Sequence, residues 1–302
     1  MSSDLDVAKN EVVTQMFVDT ADQNYLIARW AYHRGMFIDF FWNSVHALEK
    51  YLKASLLLNG RSAIKNRSNK DYGHNLNLLF KEVRSYAHDL FPEKLIKPHQ
   101  LDAPHWHDEI PDWHDEIPVN FLKRFNDLGN ANNRYNLFGY TQRLEDLHHL
   151  DQMVYFARRV AFNLDMCPFI GRGPFSDTSP KTVRACLEGD LKYSPRSSAS
   201  SRLHKLLGTK GDDELRDAGL KFNFQFAPDD YDHEQGGVRF RASGSNSVLY
   251  QRIVARANNM MPSSADKKAA DLAYWVIDNI YLPKPVKDEM QYCAKILRER
   301  TP

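Results

Sequence analysis

Residues 47–54 read Ala-Leu-Glu-Lys-Tyr-Leu-Lys-Ala and lie in the most strongly periodic part of the chain, residues 21–60. In this part, apolar side chains recur at steps of three and four, as on a helix face that packs into a core: Phe37, Phe41, Val45, Leu48, Leu52 and Leu56. The same spacing aligns a polar stripe of five residues: Asp39, Asn43, His46, Lys50 and Lys53. The stretch therefore predicts an amphipathic helix with one face in a core and the polar stripe along a groove.

Helical patterns continue on both sides of this stretch. Gly35 predicts a break after a preceding helix, and Asn59-Gly60 predicts the end of the central one. Further helices are expected at three places: residues 75–90, 119–129 and 141–164. The first half of the chain therefore predicts a helical bundle, which we assign to residues 12–166.

The composition changes after Met166, where Pro, Gly and Ser become frequent. Residues 220–226 alternate apolar and polar, and residues 238–242 repeat that alternation after a Gly-Gly pair, so we expect a short β-hairpin there. More helices are expected near residues 246–261, 265–280 and 286–300. The overall prediction is a mainly α protein with an accessory C-terminal region of mixed structure, residues 167–302.

Composition limits the function classes. The 302 residues include 40 Lys and Arg against 39 Asp and Glu, and this balance argues against a broad phosphate-neutralising surface but allows a local basic groove. The three cysteines are widely spaced without a Cys-x-x-Cys pair, which favours a reducing compartment. The first ten residues lack an apolar signal core, and no apolar run is long enough to span a membrane. We therefore expect a soluble cytoplasmic protein.

An insertion at residues 92–118 carries a tandem heptapeptide, with residues 105–111 reading HWHDEIP and residues 112–118 reading DWHDEIP. Its prolines prevent one continuous helix. Several side chains are of metal-binding type: His105, His107, Asp108, Glu109, His114, Asp115 and Glu116. Their spacing fixes no metal geometry, so a hydrated loop is favoured and no metal or other cofactor is predicted. Trp106 and Trp113 indicate an interface or a surface for base stacking.

Three short motifs in order resemble the HEPN domain family over about residues 20–165. They are the Ala-Leu-Glu-Lys-Tyr-Leu-Lys-Ala block, Gly73-His74-Asn75-Leu76, and Arg134-Tyr135 ahead of a long helix. The resemblance implies an up-and-down helical bundle that usually dimerises and binds nucleotides or RNA. It also implies two alternatives, a metal-independent endoribonuclease of toxin–antitoxin or defence systems and an interaction subunit that pairs with a nucleotidyltransferase.

The resemblance draws attention to Arg134, which follows the polar run Asn130-Ala-Asn-Asn133. An Arg that opens a helix beside amides suits a phosphate, because its fork matches phosphate oxygens. The alternative is an Arg that ties a turn to an acidic side chain such as Glu49. The nucleotide or phosphate site expected on this basis comprises six residues: Glu49, Lys50, Lys53, Asn133, Arg134 and Tyr135. For the two lysines, a simply solvated helix face is the competing interpretation.

Ribonuclease members of the family are similar in having an Arg followed four to six residues later by a His, a pair suited to proton transfer and to stabilising a phosphorane. Residues 138–141 contain no histidine, so Arg134 lacks this partner. Arg143 and His148 have the spacing and are the catalytic candidates, with His149 one residue further. A solvated helix face explains that pair equally simply. We therefore expect a nucleotide- or RNA-binding module that lacks catalytic activity.

Overall fold

The computed structural model describes residues 4–66, 68–69, 71–102, 110, 112–167, 181–195, 203, 214–227, 243–247, 249–259, 261–279 and 282–300. Over these ranges the chain is mainly helical with one short antiparallel strand pair, so the predicted mainly α class is confirmed. Within the same ranges, no helix combines the length and the apolar character needed to cross a membrane.

The chain forms two compact units whose limits differ from the boundary expected after residue 166. The first unit takes the described residues of 1–129 and 143–241, and the second takes those of 130–142 and 242–302. Two interactions explain the difference. Arg29 of the bundle donates to the carbonyl groups of Ala218 and Lys221, so that segment belongs with the first unit. Residues 140–142 pair with residues 243–245 and belong to the second.

The helices predicted between residues 22 and 164 are present in the first unit, together with three that were not predicted, at Asp4–Val13, Val183–Gly189 and Glu214–Leu220. They are α1 (Asp4–Val13), α2 (Asp19–His33), α3 (Phe37–Leu58), α4 (Leu76–Ala87), α5 (Pro118–Leu128), α6 (Asp146–Val160), α7 (Val183–Gly189) and α8 (Glu214–Leu220). A π-helical turn at Thr14–Val18 joins α1 to α2, and a 3-10 turn covers His99–Asp102. The predicted start of α6 at residue 141 is wrong. That helix begins at Asp146, whose side chain accepts a hydrogen bond from the Arg143 amide at 2.8 Å.

Helix α3 is the central element, as its sequence predicts. Phe41, Leu48 and Leu52 are fully buried in it, and each such side chain contributes roughly 1.5–3 kcal/mol of burial free energy. Gly35 and Gly60 flank the helix with φ of 71° each, a left-handed conformation that glycine adopts without a steric penalty. The predicted break and the predicted stop are therefore confirmed.

Two buried ion pairs tie α2 to α6. The guanidinium of Arg158 donates to both oxygens of Asp22 at 2.9 and 3.3 Å, and Tyr51 donates to the same carboxylate. Arg29 pairs in the same way with Asp151, which also accepts from Tyr25 at 2.7 Å. Burial raises the pKa of Asp151, while Arg29 opposes that shift. Because each charge has a partner and further hydrogen bonds, these pairs fix the relative positions of the helices.

The second unit packs around helices near the C-terminus. They are the π-helical turn Tyr250–Val254, α9 (Ala255–Asn258), α10 (Ala265–Asn279) and α11 (Lys284–Glu299). Side chains such as Ile253, Ala273 and Leu297 form its core. The strand pair consists of β1 (Tyr140–Gln142) and β2 (Ser243–Ser245), with Thr141 opposite Gly244.

The expected hairpin at residues 220–226 and 238–242 is wrong in its first arm, and its second arm lies outside the described residues. Residues 221–227 form turns after α8 rather than a strand. The side chain of Asn223 stabilises those turns, because its amide donates to the Gly219 carbonyl at 2.7 Å and its oxygen accepts from the Phe226 amide at 3.2 Å. The alternating aromatics instead pack on the bundle, with Phe226 against Tyr25.

Candidate functional site

The predicted polar stripe on α3 is largely satisfied by its own neighbours. Glu49, only 6% exposed, accepts from Lys53 at 2.6 Å and lies 3.1–3.2 Å from the ring nitrogen Nδ1 of His74. Although burial opposes it, these two partners lower the pKa of Glu49 below its ordinary value. Lys53 is therefore paired with a carboxylate within one helical turn. It is neither a simply solvated lysine nor a charge left free for phosphate.

Lys50 is also engaged inside the bundle. Its ammonium group donates to the side-chain oxygen of Asn24 at 2.6 Å, and the Asn24 amide donates to Asn43 at 2.8 Å. Burial lowers the pKa of Lys50. These hydrogen bonds join α2 to α3. Lys50 therefore contributes to the packing of the two helices in addition to its surface charge.

The other half of the predicted site belongs to the second unit. Arg134 is exposed, and its guanidinium carbon lies 4.8 Å from the ring centroid of Tyr135. Asn133 is buried and acts within its own loop: its amide donates to the Gly139 carbonyl at 2.9 Å, and its oxygen accepts from the Phe138 amide at 3.0 Å. Asn133 therefore stabilises the loop that presents Arg134 and Tyr135.

The catalytic candidates have very different environments. The side chain of Arg143 is 44% exposed, whereas His148 is 1% exposed and stacks on Phe224 at 5.6 Å. Burial, together with the charge of Arg29, holds the pKa of His148 well below 6.5. A general base must reach the proton that it removes. In this conformation His148 is shielded from such a contact.

The second heptapeptide packs against the bundle rather than extending into solvent. Trp113 contacts the rings of His148 and His149 at centroid distances of 5.9 and 5.0 Å. Glu116 exchanges two backbone hydrogen bonds with Leu95, at 2.8 and 3.2 Å. Trp113 therefore packs on side chains of the bundle, and binding of a partner or a base by this residue stays a prediction. The first copy, including Trp106, lies outside the described residues apart from Ile110.

A cleft that the sequence did not single out combines positive charge with aromatic rings. It has a volume of about 650 Å³, within the usual range for small-molecule sites. Its cationic and aromatic lining residues are Lys97, His99, Arg158, Arg159, Lys192, Tyr155, Phe156, Phe224 and Phe226. Among the described residues, neither Asp nor Glu lines it. We refer to it as the basic aromatic cleft.

The rings and one arginine of this cleft are held in place by specific contacts. Tyr155 donates to the Leu191 carbonyl at 2.6 Å, and its ring meets Phe226 edge to face at 5.5 Å. The guanidinium of Arg159 lies 5.3 Å from the Tyr155 ring centroid and donates to the carbonyl groups of Leu187 and Asp190. The hydrogen bonds of Arg159 go to neutral carbonyls, and the carboxylate of Asp190, which is not among the lining residues, also acts on its charge.

Helix α6 and the start of the insertion build this cleft together. Gln152 of α6 donates to the Ile96 carbonyl at 2.7 Å and accepts from the Ile96 amide at 3.1 Å, which fixes the segment carrying Lys97 and His99. Lys192 comes from the loop after α7. The adjacent pair Arg158-Arg159 was the one local signal in the sequence. The remaining cations are too far apart in the chain for a motif to reveal them.

Within the described ranges, no group of three or more His, Cys, Asp or Glu side chains is arranged to hold a metal ion. Comparisons of the chain with protein-family models, with curated proteins and with solved structures find no match in any of the three.

Proposed function

We propose that this chain is a HEPN-like module that binds a nucleoside phosphate, free or within RNA, in the basic aromatic cleft without cleaving it. The observation that carries the proposal is the composition of that cleft, in which cations and aromatic rings occur together without a carboxylate among the described lining residues. Rings such as Tyr155 stack on bases, and Lys97 and Lys192 attract phosphate. The absence of cleavage is supported by the burial of His148.

The test compares two double variants. Lys97→Met with Lys192→Met removes two charges from the cleft, and Lys50→Met with Lys53→Met removes two from the polar stripe. Fluorescence anisotropy with a short single-stranded RNA, and calorimetry with nucleoside mono- and triphosphates, separate the two ligand sources. We expect the cleft variant to lose about tenfold in affinity and the slope of log K against log salt to fall by roughly 1.4, about 0.7 for each of the two charges removed. Equal losses in both variants would contradict this location.

Arg134→Ala tests the predicted alternative in the second unit. Arg134 and Tyr135 are exposed and lie against one another, so they are available to an external phosphate or base. If the site is the basic aromatic cleft, this variant binds RNA as the wild type does. If only Arg134→Ala loses RNA affinity, the binding site lies at Arg134, as the resemblance implies, and not in the cleft.

Endoribonuclease activity is the second candidate function. It is favoured by one observation: Arg143 and His149 approach the same carboxylate, that of Glu116, at 3.8 and 3.7 Å, although His149 is as buried as His148. An RNA-cleavage assay in chelator, repeated with Arg143→Ala and with His149→Ala, decides it. Cleavage by the wild type that both substitutions abolish would establish the nuclease and overturn the binding-only proposal.

Dimerisation and a nucleotidyltransferase partner remain part of the proposal because the resemblance implies them. Sedimentation of the purified chain at several concentrations tests the first. Co-expression with a nucleotidyltransferase encoded beside it, followed by size-exclusion chromatography, tests the second. A monomer at all concentrations would remove the homodimer from the proposal without affecting the cleft.

A further inference from the structure

The carboxylate of Glu116 lies among three groups that bind anions. Arg124 makes a two-pronged contact with it, with Nε at 3.3 Å and Nη2 at 2.6 Å. Arg143 Nη1 is 3.8 Å away from one oxygen, and Nδ1 of His149 is 3.7 Å away from the other. The residue therefore occupies a pocket built for negative charge.

These distances fit a larger anion better than they fit a carboxylate. The two oxygens of Glu116 contact Nε and Nη2 of Arg124, but they stay beyond hydrogen-bonding distance of both Arg143 and His149. His149 is fully buried, and within the described structure neither of its ring nitrogens has a hydrogen-bond partner. A phosphate group has a third terminal oxygen and a tetrahedral shape, so it can contact all three groups at once.

Charge supports the same interpretation. Burial acts to raise the pKa of Glu116, but His149, Arg124 and Arg143 outweigh it and lower that pKa to about 2. Arg124 also contacts Asp146 at 2.7 Å. Without Glu116, Arg124 would keep only its contact with Asp146, and Arg143 and His149 would lose the nearby carboxylate.

The pocket opens into a cleft of about 710 Å³, to which Lys123, Asp115 and Asp127 also contribute. Asp115 and Asp127 disfavour a polyphosphate, because the aspartates repel the additional negative charges that each further phosphate group carries. The chemistry therefore suits one phosphate group.

Besides the contact of Glu116 with Arg124, the segment that carries Glu116 is held by aromatic packing and by backbone hydrogen bonds. Trp113 packs on His149, and Leu95 supplies the two backbone hydrogen bonds described above. A tethered side chain of this kind acts at an effective concentration in the millimolar range, which an external ligand can match.

We propose that Arg124, Arg143 and His149 form a binding site for a single phosphate group, with Glu116 as its internal ligand, so that a phosphomonoester binds by displacing the segment of residues 112–117. The site is separate from the basic aromatic cleft and does not depend on the function proposed there.

The test measures binding of inorganic phosphate and of a nucleoside monophosphate to the full chain by calorimetry. Glu116→Gln keeps the shape of the side chain and removes its charge, and we expect phosphate to bind about tenfold more tightly than to the wild type. Glu82→Gln is the matched control, since Glu82 is also largely buried and lies 2.6 Å from an arginine, Arg61. We expect that control to bind as the wild type does.

Two further variants test whether the gain in phosphate affinity arises at this site. Arg143→Ala added to Glu116→Gln should abolish it, and Trp113→Ala, which leaves Glu116 in place, should raise phosphate affinity by loosening the segment. Unchanged affinity in Glu116→Gln overturns the proposal, as does a gain that survives loss of Arg143.

A measurement on the wild type keeps the proposal testable if these variants fail to fold. Hydrogen exchange of the Leu95 and Glu116 amides should become faster in concentrated phosphate than in sodium chloride of equal ionic strength. Equal exchange in the two salts would also overturn the proposal.

Discussion

The polar stripe of α3 and the basic aromatic cleft both carry lysine near the surface of the first unit, yet their charges are balanced differently. In the stripe, Lys53 has a carboxylate four residues away, and Lys50 has an amide on the neighbouring helix. In the cleft, Arg159 donates to backbone carbonyls, and no described lining residue is acidic.

This difference shows why a row of lysines on a helix is weak evidence for a phosphate site. A carboxylate within one turn neutralises such a row locally, and the result is a structural surface network. Net positive potential arises where cations from separate segments meet, because no single segment then supplies the compensating acid. The predictions below test this comparison.

The largest expected effect is on stability, at the floor of the cleft. Arg158→Met leaves Asp22 buried without its cationic partner, and we expect a loss of about 3–5 kcal/mol in the free energy of unfolding. Urea denaturation followed by circular dichroism measures it. Adding Asp22→Leu removes the stranded carboxylate and should recover part of the loss. A change below about 1 kcal/mol for Arg158→Met would show that this pair does not organise the cleft.

The next effect is on binding, and it isolates the aromatic contribution. Tyr155→Ala removes a ring at the centre of the cleft, and we expect nucleotide or RNA affinity to fall by roughly 1–3 kcal/mol. Tyr155→Phe retains the ring and loses only the hydrogen bond to Leu191, so it should bind nearly as the wild type does. Trp42→Ala, beside the polar stripe, is the control. Equal losses for Tyr155→Ala and Trp42→Ala would remove the distinction between the two surfaces.

The sequence predicts the polar stripe of α3 better than the cleft, because the stripe depends on residues that are close together in the chain. Periodic apolar spacing predicts helix α3 and its two glycine ends, and Glu49 and Lys53 have the i, i+4 spacing at which side chains on a helix meet. The cleft depends on the packing of the insertion against α6 through Gln152 and Ile96, 56 residues apart, which leaves no periodic signature. The strand predicted at residues 220–226 is wrong, because the same alternation also arises when turns place several aromatic rings against one core.

A smaller effect concerns the pH dependence of the stripe. Because Lys53 and His74 lower the pKa of Glu49, its ion pairing stabilises the fold above the ordinary glutamate pKa and is lost as the pH falls through the lowered value. Glu49→Gln should therefore cost about 1 kcal/mol at neutral pH and progressively less in acid. Urea titrations at several pH values measure the difference. A difference that grows on acidification would contradict the assigned direction.

The smallest expected effect is that of Lys50→Met. The Lys50–Asn24–Asn43 chain is only partly buried, so water can replace the lost donor, and we expect the free energy of unfolding to change by no more than about 0.5 kcal/mol. Thermal and urea unfolding beside the wild type provide the measurement, with Lys81→Met, on exposed α4 surface, as the reference. A loss above about 1.5 kcal/mol would mean that the stripe behaves as a buried polar network. The stripe and the cleft floor would then both be buried polar networks, and the lack of an acidic residue among the described lining residues would be what distinguishes the cleft.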